Sequence, residues 1–136
     1  MRRGFCYVML YHFDLAASVA QQFALIRKGE FPLYDLHLRI HDLDASQDML
    51  EQNLGEFNGP AGYRPTRWSL RQSVYYRIFF SARNGQWTQD LQLRCSHQAE
   101  CWLAATRVRT RNGDVRFVHV DLPQFDEEFG EPEWRP

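Results

Sequence analysis

No apolar stretch of this chain approaches the roughly 20 residues that a bilayer-spanning helix requires, so no membrane span is expected. Cysteine is scarce: Cys6, Cys95 and Cys101 are too few for a disulfide framework. Lys28 is the only lysine, so the basic residues are almost all arginine, which suits planar contacts with anions and also follows from base composition. The formal net charge is −1, which gives no global attraction to nucleic acid or to an anionic membrane, and a nucleic-acid partner is disfavoured. There is no Gly-rich phosphate loop, no Ser-centred nucleophile elbow and no His-Glu zinc motif. The expectation is a protein without cofactor and without enzymatic activity, although a site assembled from distant residues stays open. The N-terminus imitates a signal peptide, with Arg2 and Arg3 before an apolar stretch and Ser18-Val19-Ala20 after it. His12 and Asp14 interrupt that pattern, which favours a cytoplasmic over a secreted protein.

What is present is aromatic. Aromatics make up 15% of 136 residues, a length that points to one domain over residues 1–136 with a substantial core. Five of the acidic residues, Asp126, Glu127, Glu128, Glu131 and Glu133, crowd the end of the chain, so residues 124–136 read as an acidic tail on a mildly basic body.

The second half reads as an antiparallel meander. Residues 73–83 (SVYYRIFFSAR) reach Asn84-Gly85 and are followed by residues 86–95 (QWTQDLQLRC). Asn-Gly as the central pair of a tight turn, both residues at positive φ, is the strongest short hairpin signal. Val74, Tyr76, Ile78, Phe80 and Ala82 alternate onto one face, as do Trp87, Leu91 and Leu93, with Gln89 interrupting. Residues 100–111 continue with Trp102, Ala104, Thr106 and Val108 on one side and Arg107, Arg109 and Arg111 on the other. Asn112-Gly113 then leads to a fourth strand, whose change of phase near Phe117 and Val118 calls for a bulge or for burial on both faces.

The first half is less regular. Residues 34–42 alternate Leu36, Leu38 and Ile40 with His37, Arg39 and His41, a half-buried strand, and residues 5–11 read as another. Residues 45–54 read as a short helix, with Ser46 as cap and Gly55 beyond its end. Residues 55–65 read as loop, with a brief strand at 68–70. Residues 14–28 admit two readings. A helix capped by Asp14, with Leu15, Val19, Phe23 and Ile26 on one face, gives an α+β cone of the NTF2-like type. A strand at 19–27 gives a sandwich.

Residues 28–44 (KGEFPLYDLHLRIHDLD), the hairpin at 75–93, the Trp102, Ala105 and Val108 spacing, and Glu131-Pro132-Glu133-Trp134 together resemble a group of uncharacterised bacterial proteins. That resemblance implies an all-β, immunoglobulin-like antiparallel sandwich of about seven or eight strands with one short helix, and it implies no activity. It favours strand at 19–27. The group's domain often follows a membrane anchor or helical segment; no such anchor is expected in this chain, which speaks against a receptor-like role.

Candidate chemistry is sparse. Cys95, His97 and Cys101 are the weak candidates for a metal, lacking the paired Cys-x-x-Cys knuckle, with a disulfide or free thiols as the alternatives. His37 and His41 share a strand face with Asp35 and Arg39, and Asp42 and Asp44 read as turn formers. Arg107, Arg109, Arg111 and Arg116 form a basic stripe that residues 126–133 could cover by pairing charges. Tyr63, Trp68 and Trp134 are candidate anchors for a partner. The leading expectation is therefore a non-enzymatic sandwich module that binds a protein partner or a small ligand, with a homodimer as one form of partnership. The alternatives are an NTF2-like domain with a small-molecule pocket or acid–base activity, and the cargo of a mobile bacterial gene cassette.

Overall fold

Alternation with period two runs through most of the chain, and the computed structural model converts it into two antiparallel sheets. It describes residues 4–12, 22–29, 32–58, 62–66, 75–96, 101–121 and 124–136. Among these are nine strands, β1 (Phe5–His12), β2 (Gln22–Lys28), β3 (Leu33–Asp42), β4 (Gln47–Phe57), β5 (Tyr63–Pro65), β6 (Tyr75–Ala82), β7 (Gly85–Ser96), β8 (Cys101–Thr110) and β9 (Val115–Val120), and one helix, α1 (Gln124–Phe129). The smaller sheet has the order β1-β2-β5 and the larger β4-β3-β6-β7-β8-β9. The domain is an all-β sandwich.

The inner faces meet in one core. Val8, Leu10, Phe23 and Leu25 of the small sheet join Leu38, Ile40, Ile78, Phe80 and Leu91 of the large one. Phe80 and Trp87 are directly paired across β6 and β7 and stack at 5.4 Å, an arrangement worth about 1 kcal/mol beyond its buried area. Gln89, which breaks the apolar alternation of β7, is fully buried and serves the other sheet. Its Oε1 accepts from Val8 N at 2.7 Å and its Nε2 donates to Val8 O at 2.8 Å. Trp87 Nε1 donates to Cys6 O at 2.7 Å. Three groups on the free edge of β1 are thus satisfied by side chains of β7, which avoids the cost of leaving them buried and unpaired.

Residues 22–28 are strand β2, so the helix of the cone reading does not run to Lys28; residues 13–21 lie outside those described. The segment expected as a helix at 45–54 is instead mostly β4, with β3 as its partner. The residues that imitate helix ends have other uses. Ser46 sits at φ 54° in the β3–β4 turn, and Gly55 at φ 68° lies where the register slips beside Leu36. Two further slips in this pair break the period-two pattern. The short helix is α1, inside the acidic tail. The strand expected at 68–70 lies outside the described residues.

Both Asn-Gly hairpins form, but with a different turn. Ala82 pairs with Gly85, so the tip residues are Arg83 and Asn84. In the second hairpin Gly113 N donates to Thr110 O at 2.9 Å and Thr110 N to Asp114 O at 2.8 Å, placing Arg111 and Asn112 at the tip. Neither Asn has positive φ; Gly85 (148°) and Gly113 (91°) carry it alone. The second hairpin is the turn-plus-glycine-bulge solution, in which one glycine absorbs the conformation that a primed turn divides between two residues, whereas the first keeps an unbroken register to Ala82 and Gly85. The phase change in β9 arises because Arg116 is an extra residue: Val108 pairs with Phe117, while Arg109 pairs with Val115.

Candidate functional site

The outer face of the large sheet carries the polar residues that alternate with its core. Asp90 of β7 is directly opposite Arg77 of β6 and Arg107 of β8, and Arg109 lies one pair further along. The Asp90 side chain is fully buried, yet it faces three guanidinium groups. Arg77 Nε donates to its Oδ1 at 2.7 Å and Arg107 Nη2 to its Oδ2 at 2.7 Å, while Arg109 Nη2 is 3.2 Å from Oδ2. One carboxylate among three cations leaves surplus positive charge, so further acceptors are needed.

The end of the chain supplies some of them. Phe125 of α1 is buried on Leu103 and Ala105, with Val120 and Trp134 beside it. From there residues 130–136 run over the sheet. Arg77 Nη2 donates to Arg135 O at 2.8 Å, and Gln92 Nε2 donates to Glu133 O at 2.9 Å. Trp134 lies against the Arg107 guanidinium at 4.9 Å. Arg135 is anchored to Asp44 at 2.7 Å, with its guanidinium over Tyr75. Of the arginine stripe, the tail covers Arg107. It does so through the Arg135 carbonyl and Trp134, and the ion pairs of Arg107 and Arg109 come from Asp90 beneath. Among the acidic side chains of the tail, Glu128 accepts from Ser96 Oγ.

Beyond the tail the face opens into a groove of about 430 Å³, lined by residues that include His37, Arg39, Phe79, Thr88, Arg109 and Arg111. No carboxylate is among its described lining residues. Arg39 stacks over Phe79 at 4.4 Å and pairs with Asp48 at 3.1 Å. Arg111 is exposed at its mouth. Arg109 spends one nitrogen on Asp90, and its Nε is buried without a hydrogen-bond partner. The stripe therefore divides: Arg107 is held under the tail, and Arg109 and Arg111 line open space.

The other sequence candidates are dispersed. His37 is engaged by Asn53 at 2.7 Å and Glu51 at 3.1 Å, and His41 by Asp48 at 2.8 Å, so both imidazoles belong to a polar ladder between β3 and β4. The His41 bond, together with the charge of Arg39, holds the Asp48 carboxyl below the usual aspartate range. Asp42 Oδ1 accepts from Asp44 N and Ala45 N at 2.9 Å each, the turn-forming role expected of it. Asp35 pairs with Arg83. Arg116 lies over Phe5. Cys6 and Cys95 carry free thiols, and burial pushes the Cys6 thiol far up. His97, Trp68 and the side chains of Cys101 and Tyr63 lie outside what is described. Of the three aromatic anchors only Trp134 is placed, half-buried and engaged by the chain itself. Sequence reasoning missed Asp90, and it placed Arg39 on a strand face with His37 and His41 without joining it to the arginine stripe. Asp90 occupies an outward-facing strand position like any solvated residue, and only its pairing with two arginine-bearing strands marks it out.

No family profile, curated protein or solved structure matches this chain.

Proposed function

We propose that this domain is a non-enzymatic binding module, and that it takes a small anionic ligand in the groove on the outer face of the large sheet. The observation that carries this reading is the convergence of Arg39, Arg109 and Arg111 on one open groove whose described lining holds no carboxylate. Guanidinium groups recognise carboxylate and phosphate by paired, charge-assisted hydrogen bonds, and a concave setting with an aromatic wall strengthens them. The buried Asp90 leaves the cluster with surplus positive charge, which an anion would neutralise. A binding role is supported over an acid–base one by His37. It is the one imidazole among the described lining residues, and both its ring nitrogens already have partners.

The test is a titration of uniformly labelled protein with inorganic phosphate and with benzoate, followed by amide chemical shifts. Shifts that saturate at millimolar ligand and cluster on residues 37–39, 79–81, 86–88 and 109–111 are expected. An absence of saturable shifts there for either anion would reject the reading.

A further inference from the structure

Beside the groove, at the end of the large sheet, lies a second depression of about 540 Å³. Its walls are the two hairpin tips, which carry the same tripeptide: Arg83-Asn84-Gly85 and Arg111-Asn112-Gly113. In both hairpins Arg and Asn form the tip and glycine takes the positive φ. Because β6–β7 and β8–β9 are successive antiparallel hairpins, both tips emerge at one end of the sheet. The extra residue of β9, Arg116, also lines this depression, and Asp114 is the one carboxylate among its described lining residues. Gln86, Trp87, Thr110 and Arg111 line both spaces, so groove and depression adjoin, with Arg111 common to the two.

We propose that the ligand of this domain is an elongated anion with two acidic groups, one held in the groove by Arg39 and Arg109 and the other at the hairpin tips by Arg83 and Arg116, with Arg111 between them. This inference rests on the groove being an anion site and adds the class of ligand. A ligand with one acidic group fills one lobe and leaves the other without an anion. Joining two such groups makes the second contact intramolecular, so the pair binds more tightly than either alone. The Arg83–Asp35 pair does not oppose this: both side chains are about 70% exposed, and exposed pairs of this kind are weak enough to exchange for a bound anion.

Calorimetric titration of the full chain with orthophosphate and with tripolyphosphate, at one fixed ionic strength, tests the proposal. The intact protein should bind tripolyphosphate more tightly. Arg39→Gln should weaken both anions. Arg116→Gln and, separately, Arg83→Gln should each lower the ratio of tripolyphosphate to orthophosphate affinity by about tenfold, the worth of one charge-assisted hydrogen bond. Far-UV circular dichroism of each variant reports that the sheets are intact. If the ratio is the same in both tip variants as in the intact protein, the two-lobed ligand is wrong while the groove reading stands. If neither anion binds the intact protein, both readings fall together.

Discussion

Asp90 is the residue on which the outer face depends. A carboxylate taken wholly out of water costs several kcal/mol unless close cations and good geometry repay it. Here three arginines do so, two of them at 2.7 Å. Their own side chains are only 15–22% exposed, so water contributes little to their solvation. Removing the carboxylate would leave these guanidinium groups crowded together, with the carbonyls of the tail as their principal acceptors. Asp90→Asn is therefore expected to destabilise the fold by about 3–5 kcal/mol, the cost of breaking a buried pair from one side. Urea denaturation would show this as a lower midpoint at unchanged slope. An unmoved midpoint would mean that the arginines are solvated after all. The same arrangement explains why Arg109 faces the groove with hydrogen-bonding capacity unspent: Asp90 has two oxygens, and Arg77 and Arg107 hold the short contacts.

At the scale of elements, the crossing from the small sheet to the large one is the tightest constraint. It begins at Gly29, whose φ is +111°, and where a Cβ would lie 2.9 Å from the Gly4 Cα. Neither backbone can yield without shifting β1 against β2. Gly29→Ala should cost about 2–4 kcal/mol, combining unfavourable φ with overpacking, and thermal unfolding would measure it. By contrast Gly113→Ala meets nothing within 4 Å and should cost only the conformational part. The meander was legible in the sequence because its strands keep period two, apart from the slip in β9, and a glycine follows the tip of each Asn-Gly hairpin. Its turn geometry was not, since Arg-Asn-Gly fits either a primed turn or a glycine bulge, and the register decides between them. β4 was hidden for a related reason. Three slips against β3 destroy its alternation, and Leu50 and Leu54, four residues apart between Ser46 and Gly55, then imitate a helix with caps. Asp90 and Gln89 were visible only as interruptions, because a buried polar side chain is recognisable by its partners. The arginine stripe was read as one feature, and the tail splits it in two.

The whole molecule places two kinds of charge on one sheet face. Beneath the tail, Asp90 with Arg77 and Arg107 forms a cluster shielded from solvent. In the cleft, Arg39, Arg111 and Arg116 stand at an aqueous surface, and acidic residues are concentrated at the end of the chain. Salt separates the two. Between ~0.02 M and ~0.3 M ionic strength the screening length falls from roughly 20 Å to about 6 Å, which weakens attraction between an approaching anion and exposed cations but scarcely reaches buried pairs. Tripolyphosphate affinity should therefore fall by about tenfold or more over that range, while the urea midpoint moves little, because the ion pairs that hold the sheet are the shielded ones. Measuring binding by calorimetry and unfolding by circular dichroism in the same buffers makes the comparison direct. If the unfolding midpoint fell in step with affinity, the Asp90 cluster would be open to solvent, and tail and cleft would be parts of a single exposed surface. If affinity held constant as salt rose, the anion would be bound by contacts other than the exposed arginines. The expected result, salt-sensitive binding on a salt-insensitive fold, follows from a carboxylate at the centre of the sheet face and arginines at its end.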